Sequence, residues 1–316
     1  MSNINKEINN DNNNNNNKKT TRRPGRPRKN PIKKNKPRNG ISNKPSINDN
    51  CVELLYDKPI ILKKMVQFFK MMAVEKLQII FDKTKIIIWA NDHHIKNRIY
   101  ITIDGNKLNH YYCKEKIDIG LICKDLEVVL SKIDKTYTSI IIASQEGYTQ
   151  KNLLILLKTE INIDERHQIE LIGSYPKLTD ETIFFNKKYD IKFTLPGKYF
   201  KKMITDIKTF TDILSICQHE KEEPLKFEYT TRNKKIKSTN IVNNREIINL
   251  VSNLNNDDSF RLSFIVDYVK PISSSTLSEY ITICCTESNP LLFIISADEK
   301  TFEAKILTEI IDDRFT

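Results

Sequence analysis

IILKKMVQFFKMMA, residues 60–73, is the stretch whose reading decides the fold. Its apolar residues Ile61, Met65, Phe68 and Met72 recur at the spacing of one helix stripe, so the reading is an amphipathic helix with that stripe buried. Lys63, Lys64 and Lys70 lie off the stripe, beside Gln67, and Pro59 suits the first helical turn, where its missing N–H costs nothing. The pattern returns in GKYFKKMITDIKTF, residues 197–210. There Phe200, Met203, Ile207 and Phe210 make the stripe, and Lys198, Lys201, Lys202 and Lys208 supply the charge. Two such helices, each with a Lys-Lys-Met triplet, predict a duplicated domain that turns lysines toward a common partner.

Working outward, the 316 residues suffice for two domains with a core each. The formal charge of +11 is unevenly spread. Residues 1–50 hold 13 Lys and Arg against three carboxylates, a net of +10, and residues 51–316 hold 38 against 37, a net of +1. Any nucleic-acid affinity of the body must come from where its lysines sit, not from their excess. Cys51, Cys113, Cys123, Cys217, Cys284 and Cys285 show no CxxC spacing, which reads as reduced thiols in an intracellular protein. Cys284 and Cys285, adjacent in a strand, are expected on opposite faces as packing residues. No apolar leader and no run of about 18 apolar residues is found, so neither export nor a membrane span is expected.

Residues 1–50 contain the run Asn12 to Asn17 and a basic, Pro-containing stretch with almost nothing apolar, a composition that predicts disorder. Within them Arg22-Arg23-Pro24-Gly25-Arg26-Pro27-Arg28-Lys29 resembles an AT-hook. Gly25 would let the backbone approach the minor-groove floor, while Arg23, Arg26 and Arg28 meet the negative potential of narrow A/T tracts. The stretch reads equally as a nuclear-import signal or a phosphate-binding arm.

From Cys51 onward short strands and helices alternate. The first domain, residues 51–172, runs strand, helix, several strands, a short helix over residues 124–133, and a final strand set that includes NLLILLK, residues 152–158. Residues 173–188 are the least periodic and read as a connecting loop. Residues 189–316 repeat the order, with a short helix around residues 267–272. YTSIIIAS followed by NLLILLK matches YITICCT followed by PLLFIIS in pattern and position, the signature of an internal duplication.

ILKKM with the helix it opens, WANDHHIKNRIYI, the FTLPGKYFKKM junction and the closing SNPLLFII together resemble the proliferating cell nuclear antigen family of eukaryotic and viral DNA sliding clamps. The resemblance covers about residues 51–311, and its specificity lies in the order and spacing of these segments. It implies an α+β clamp fold of two similar domains, closed head-to-tail into a homotrimeric ring with helices inside and sheets outside. It implies that Lys63, Lys64, Lys70, Lys124, Lys132, Lys198, Lys201, Lys202, Lys208 and Lys270 face the phosphates of an enclosed duplex. It also implies a pocket for short peptides of a DNA polymerase, a clamp loader and other replication and repair proteins. Ala90, His94, Ile95 and Pro290 line it, Leu178 and Ile183 of the connector cover it, and Ile306, Leu307 and Thr308 adjoin it. The ring contact is expected between residues 152–158 and residues 235–240 of the next subunit.

No Walker A, GxSxG, HExxH or DxD-type cluster occurs, so a non-enzymatic protein without cofactor or metal is expected. Two alternatives stay open: a clamp-fold processivity factor that binds DNA by charge as a monomer or dimer, and an AT-hook chromatin or transcription protein. The expected location is the nucleus, or a cytoplasmic viral replication site.

Overall fold

The computed structural model describes residues 40–46, 50–145, 152–161, 164–178, 185, 187–220, 223–232, 237–241, 247–255, 258–287 and 289–311. They lie within one compact unit, Pro37–Thr316. The AT-hook-like residues Arg23, Gly25, Arg26 and Arg28 fall outside the described residues, as do Ile183 and Ile236.

The duplication is complete at the level of elements. The first half comprises β1 (Asn50–Tyr56), α1 (Pro59–Met71), β2 (Lys76–Phe81), β3 (Lys85–Asn91), β4 (Asn97–Asp104), β5 (His110–Cys113), β6 (Ile117–Ile122), α2 (Cys123–Leu130), β7 (Tyr137–Gln145), β8 (Asn152–Thr159) and β9 (Asp164–Glu170). The second comprises β10 (Ile191–Pro196), α3 (Gly197–Lys208), β11 (Ile213–Gln218), β12 (Lys226–Thr230), β13 (Lys237–Ile241), β14 (Ile248–Ser252), β15 (Phe260–Ile265), α4 (Val266–Ser273), β16 (Tyr280–Cys285), β17 (Leu291–Ala297) and β18 (Phe302–Thr308).

The strands form three antiparallel sheets, in the orders β5-β1-β7-β8-β9, β14-β10-β16-β17-β18-β4-β3-β2-β6, and β13-β12-β11-β15. The middle sheet crosses between the halves: β18, the last strand of the second, pairs with β4 of the first from Phe302 opposite Ile103 to Thr308 opposite Asn97. The corresponding strands of the other two sheets are β9 and β13, and each is an edge with one strand neighbour among the described residues. This corrects one expectation. Residues 152–158 are not an edge, because β8 is flanked by β7 and β9.

All four helices lie together, α1 against α2, α3 against α4, and α1 touching α4. One apolar core underlies them, running from Val52 in β1 to Ile306 in β18. In α1 the buried side chains are Leu62, Met65, Val66, Phe68 and Phe69; in α3 they are Phe200, Met203, Ile204 and Ile207. Phe210 departs from its expected place on the stripe. It lies past the end of α3, is half exposed, and stacks on Tyr229. α2 also starts and ends earlier than expected, at Cys123 and Leu130.

The body begins before Cys51. The amide of Ser42 donates to the Tyr111 carbonyl at 2.7 Å and that of Tyr111 to the Gly40 carbonyl at 3.0 Å, so residues 40–42 line the edge of β5. Gly40 has φ +63, a left-handed conformation that favours glycine. All six cysteines are free thiols. Cys285 joins the core beneath the helices and Cys284 the apolar cluster on the other face, where burial pushes its thiol up to about 11.

Candidate functional site

The helix layer is where the body's positive charge collects. Its four helices carry nine lysines against four carboxylates, a net of +5, while residues 51–316 as a whole carry +1. The expected lysines divide into two sets. Four are occupied within the chain: Lys63 Nζ donates to the Ile133 carbonyl at 2.7 Å, Lys70 meets Glu127 at 2.6 Å, Lys132 meets Glu165 at 3.6 Å, and Lys208 bridges Asp212 and Asp267 at 2.6 and 2.5 Å. Lys208, with Arg232, holds the Asp212 carboxyl down to about 2. Lys64, Lys124, Lys198, Lys201, Lys202 and Lys270 have no ion-pair partner among the described residues, and all but Lys64 are well exposed. Four of these six lie on α3 and α4, so the second half presents most of the uncommitted charge. The family resemblance implied all ten as duplex-facing, but it could not show which ones the fold neutralises.

The opposite face of the middle sheet carries a second apolar cluster: Trp89, Phe185, Tyr189, Cys284, Leu292 and Leu307, with Tyr100, Leu178 and Ile294 packed against it. The connecting loop crosses this face. Leu178 N donates to Gln78 Oε1 at 2.7 Å, while Tyr175 Oη and Lys177 Nζ both reach Asp118, at 3.1 and 3.2 Å. The Tyr175 ring lies on Gly120, where an added Cβ would come within 1.9 Å of it. Further along, Phe185 packs on Tyr100 with ring centroids 5.0 Å apart. The indole Nε1 of Trp89 is buried and has no acceptor among the described residues.

The expected pocket residues are therefore split by strand parity. Leu178 and Leu307 belong to the outer cluster, whereas Ala90 and Ile306 face the core beneath the helices. Thr308 is buried and bonds Asn97 at 2.7 Å. Pro290 is partly exposed beside β17, and His94 and Ile95 are exposed in the β3–β4 turn. That turn is tied to the end of β18 by a Lys96–Glu309 pair at 2.7 Å, and Ile95 holds a left-handed φ of 57. The reading missed Trp89, Tyr100, Phe185 and Tyr189. KIIIWAN is buried on both faces, so its pattern gives no polar alternation from which to assign sides. His93 Nδ1 lies 2.8 Å from Glu75, and no three metal-ligating side chains gather among the described residues.

The third feature is the two sheet edges that correspond to the β18–β4 junction, β9 and β13. On β9, Glu165 accepts the Tyr137 hydroxyl at 2.7 Å and lies 3.2 Å from His167 Nε2. The Tyr137 bond, with help from His167 and Lys132 and against some desolvation, holds the Glu165 carboxyl below its usual range.

No protein-family model matches the chain. Among curated proteins it is similar to an uncharacterized protein of African swine fever virus. It is 26% identical over 285 residues, covering 86% of this chain and 92% of that protein, in a Kenyan and a Namibian isolate alike. Among solved structures it is similar to the proliferating cellular nuclear antigen of Entamoeba histolytica, with a TM-score of 0.68 and 11% identity over 83% of this chain and 100% of that one. The fold is thus the α+β clamp fold.

Proposed function

We propose that the chain is a DNA sliding clamp, a non-enzymatic processivity factor that encircles duplex DNA and tethers a DNA polymerase and other replication proteins to it. The observation that carries this reading is the β18–β4 junction. A strand pairing that joins second half to first within the chain leaves its counterparts, β9 and β13, at the edges of the other two sheets, each with one strand neighbour among the described residues. An exposed edge is a template for strand pairing. Placing β13 of one copy beside β9 of the next repeats the internal junction between chains, a heterologous contact that closes by rotation. The family resemblance sets the number at three chains, or six repeats. The helix layer then faces the enclosed duplex, where Lys64, Lys124, Lys198, Lys201, Lys202 and Lys270 make sequence-independent phosphate contacts that permit sliding.

The outer cluster around Trp89, Leu178 and Leu307 serves as the docking face for partner peptides, including those of a clamp loader. Its partly exposed members, Tyr100, Leu178 and Ile294, supply the apolar contacts such a peptide needs. The protein acts in the nucleus or at a viral replication site.

Topology separates a clamp from a charge-driven binder. Protein bound to a nicked circular duplex and challenged with excess competitor DNA is expected to remain, and to leave when the circle is cut once. Equal loss from intact and cut circles would contradict the encircling reading.

A further inference from the structure

The strands of the middle sheet have two ends, and the loops divide between them. At the first end lie the β2–β3 turn, the segment after β4 and the β17–β18 turn. There the Gly105 amide donates to the Thr84 carbonyl at 2.9 Å and the Asp104 amide to the Thr301 carbonyl at 3.0 Å. At the second end lies the β3–β4 turn with His94 and Ile95, tied by Lys96 to Glu309 just past β18. The helices follow the same division. Asp298 of the β17–β18 turn holds Lys58 just before α1, and Glu75, past the other end of α1, meets His93 at 2.8 Å. α3 also starts at the first end, where the Gly197 amide donates to the Glu279 carbonyl at 2.7 Å beside the start of β16.

The basic N-terminal arm leaves the body at the first end. Gly40 donates its amide to the Leu108 carbonyl at 3.2 Å, and a Cβ on it would lie 3.0 Å from the Asn106 carbonyl oxygen, in the segment after β4. Residues 1–39 carry a net of +10, and Arg26 stands fourteen positions before Gly40. An extended chain covers about 3.3–3.6 Å per residue, so that arginine reaches as far as about 45–50 Å from Gly40. In the ring, strand pairing continues each sheet from one chain to the next. Strand order therefore runs round the circumference, and the strands themselves run across the ring's thickness. Their two ends become its two faces, one carrying the β3–β4 turns and the other the arms. Only the helix layer, about 10–12 Å thick, stands between β5 and the enclosed duplex, well inside the reach of the arm.

We infer that the basic arm grips the same duplex the ring encloses, where that duplex emerges on the face opposite the β3–β4 turn. The inference rests on the ring reading and gives it a polarity: partners dock at one face while the arms hold the DNA leaving the other. Docked partner and arm then take different stretches of duplex and do not compete. Arg23, Arg26 and Arg28 carry the grip, which is tightest where an A/T tract narrows the minor groove and strengthens its negative potential.

The test threads the full-length protein onto a linear duplex that carries one A/T tract within G/C-rich sequence. An iron chelate that releases hydroxyl radicals is tethered at Thr276→Cys, beside the start of α3, or at Met71→Cys, at the end of α1; both positions are exposed. Unsubstituted protein treated alike sets the background from the native thiols. Cuts from both sites should flank the tract, those from position 276 nearer to it by about one helix length. For the 13 residues of α1 that is about 20 Å, or roughly six base pairs. Removing residues 1–39 should abolish the centring on the tract and leave the trimer's mass in solution unchanged. The reverse order of cuts in a trimer would overturn the face assignment. Cuts equally distant from the tract, or the same spread with and without residues 1–39, would overturn the grip on the enclosed duplex and leave the ring intact. A protein that stays monomeric at the working concentration would overturn the ring reading, and the grip with it.

Discussion

Removing residues 1–39 is expected to abolish most of the protein's binding to linear duplex DNA while leaving ring assembly unchanged. The segment holds twelve basic residues against two acidic ones, a net of +10, and the body that remains is nearly neutral. Each phosphate neutralised contributes a slope of about 0.9 in log affinity against log salt, so an arm making about six contacts loses several powers of ten as salt rises. The truncated body should therefore bind linear DNA weakly and with a shallow slope, which titration at two salt concentrations would measure. The cut belongs before Gly40, because residues 40–42 line β5 and belong to the body. If the truncated protein binds linear duplex as tightly as the full chain, the clamp-fold protein that binds DNA by charge without a ring becomes the better reading.

The second large effect concerns the helix layer. Replacing Lys198, Lys201, Lys202 and Lys270 by alanine should leave tail-driven binding to linear DNA intact but impair function on circles. Four lost phosphate contacts per subunit remove about 3.6 from the salt slope of the body, and retained protein on a circular template should fall accordingly. The matched control replaces Lys63, Lys70, Lys132 and Lys208, whose ammonium groups are held by Ile133, Glu127, Glu165 and by Asp212 with Asp267. That set should lower thermal stability modestly, since exposed pairs contribute about 0–1 kcal/mol each, and change DNA retention much less. Equal losses in the two sets would mean that the pairing seen in the free subunit does not decide which lysines meet DNA.

Much of this was legible in the chain. The stripe Met65, Phe68, Met72 and its repeat Phe200, Met203, Ile207 are buried as their spacing requires, because helical periodicity survives any arrangement of the sheets. Cys284 and Cys285 face opposite ways for the same local reason, the two-residue period of a strand. What could not be read was non-local. Residues 152–158 have the apolar look of a sheet edge waiting for a partner, yet the partner is the segment Asp164–Glu170 beside them; its part HQIEL, residues 167–171, reads as closing the first domain, but only folding shows that it takes the edge. Ala90 and Ile306 were expected in a surface pocket and face the core instead, since strands buried on both sides carry no alternation to mark their faces. The split of the lysines depends on Glu127, Glu165 and Asp267, which sequence distance separates from Lys70, Lys132 and Lys208 and only folding brings near.

The central claim is that β9 of one chain pairs with β13 of the next. Across the internal junction Lys305 lies directly opposite Tyr100. Ile172 bridges Gly120 as Ile311 bridges Ser263, which puts Arg166 in the place of Lys305. Gln78 pairs with Gly120 and Trp89 as Ser215 pairs with Ser263 and Glu228, and Trp89 lies opposite Tyr100 as Glu228 lies opposite Thr239, which puts Thr239 in the place of Tyr100. Directly opposed residues on antiparallel strands bring their Cβ atoms to about 4.5–5.5 Å, close enough for a disulfide to form with small adjustment. A variant carrying both Arg166→Cys and Thr239→Cys, oxidised mildly and resolved by mass under denaturing conditions, is predicted to give cross-linked species that stop at three chains. Either single variant should give no such series. A series running past three chains, or no cross-link in the double variant at concentrations where it associates, would contradict the closed ring.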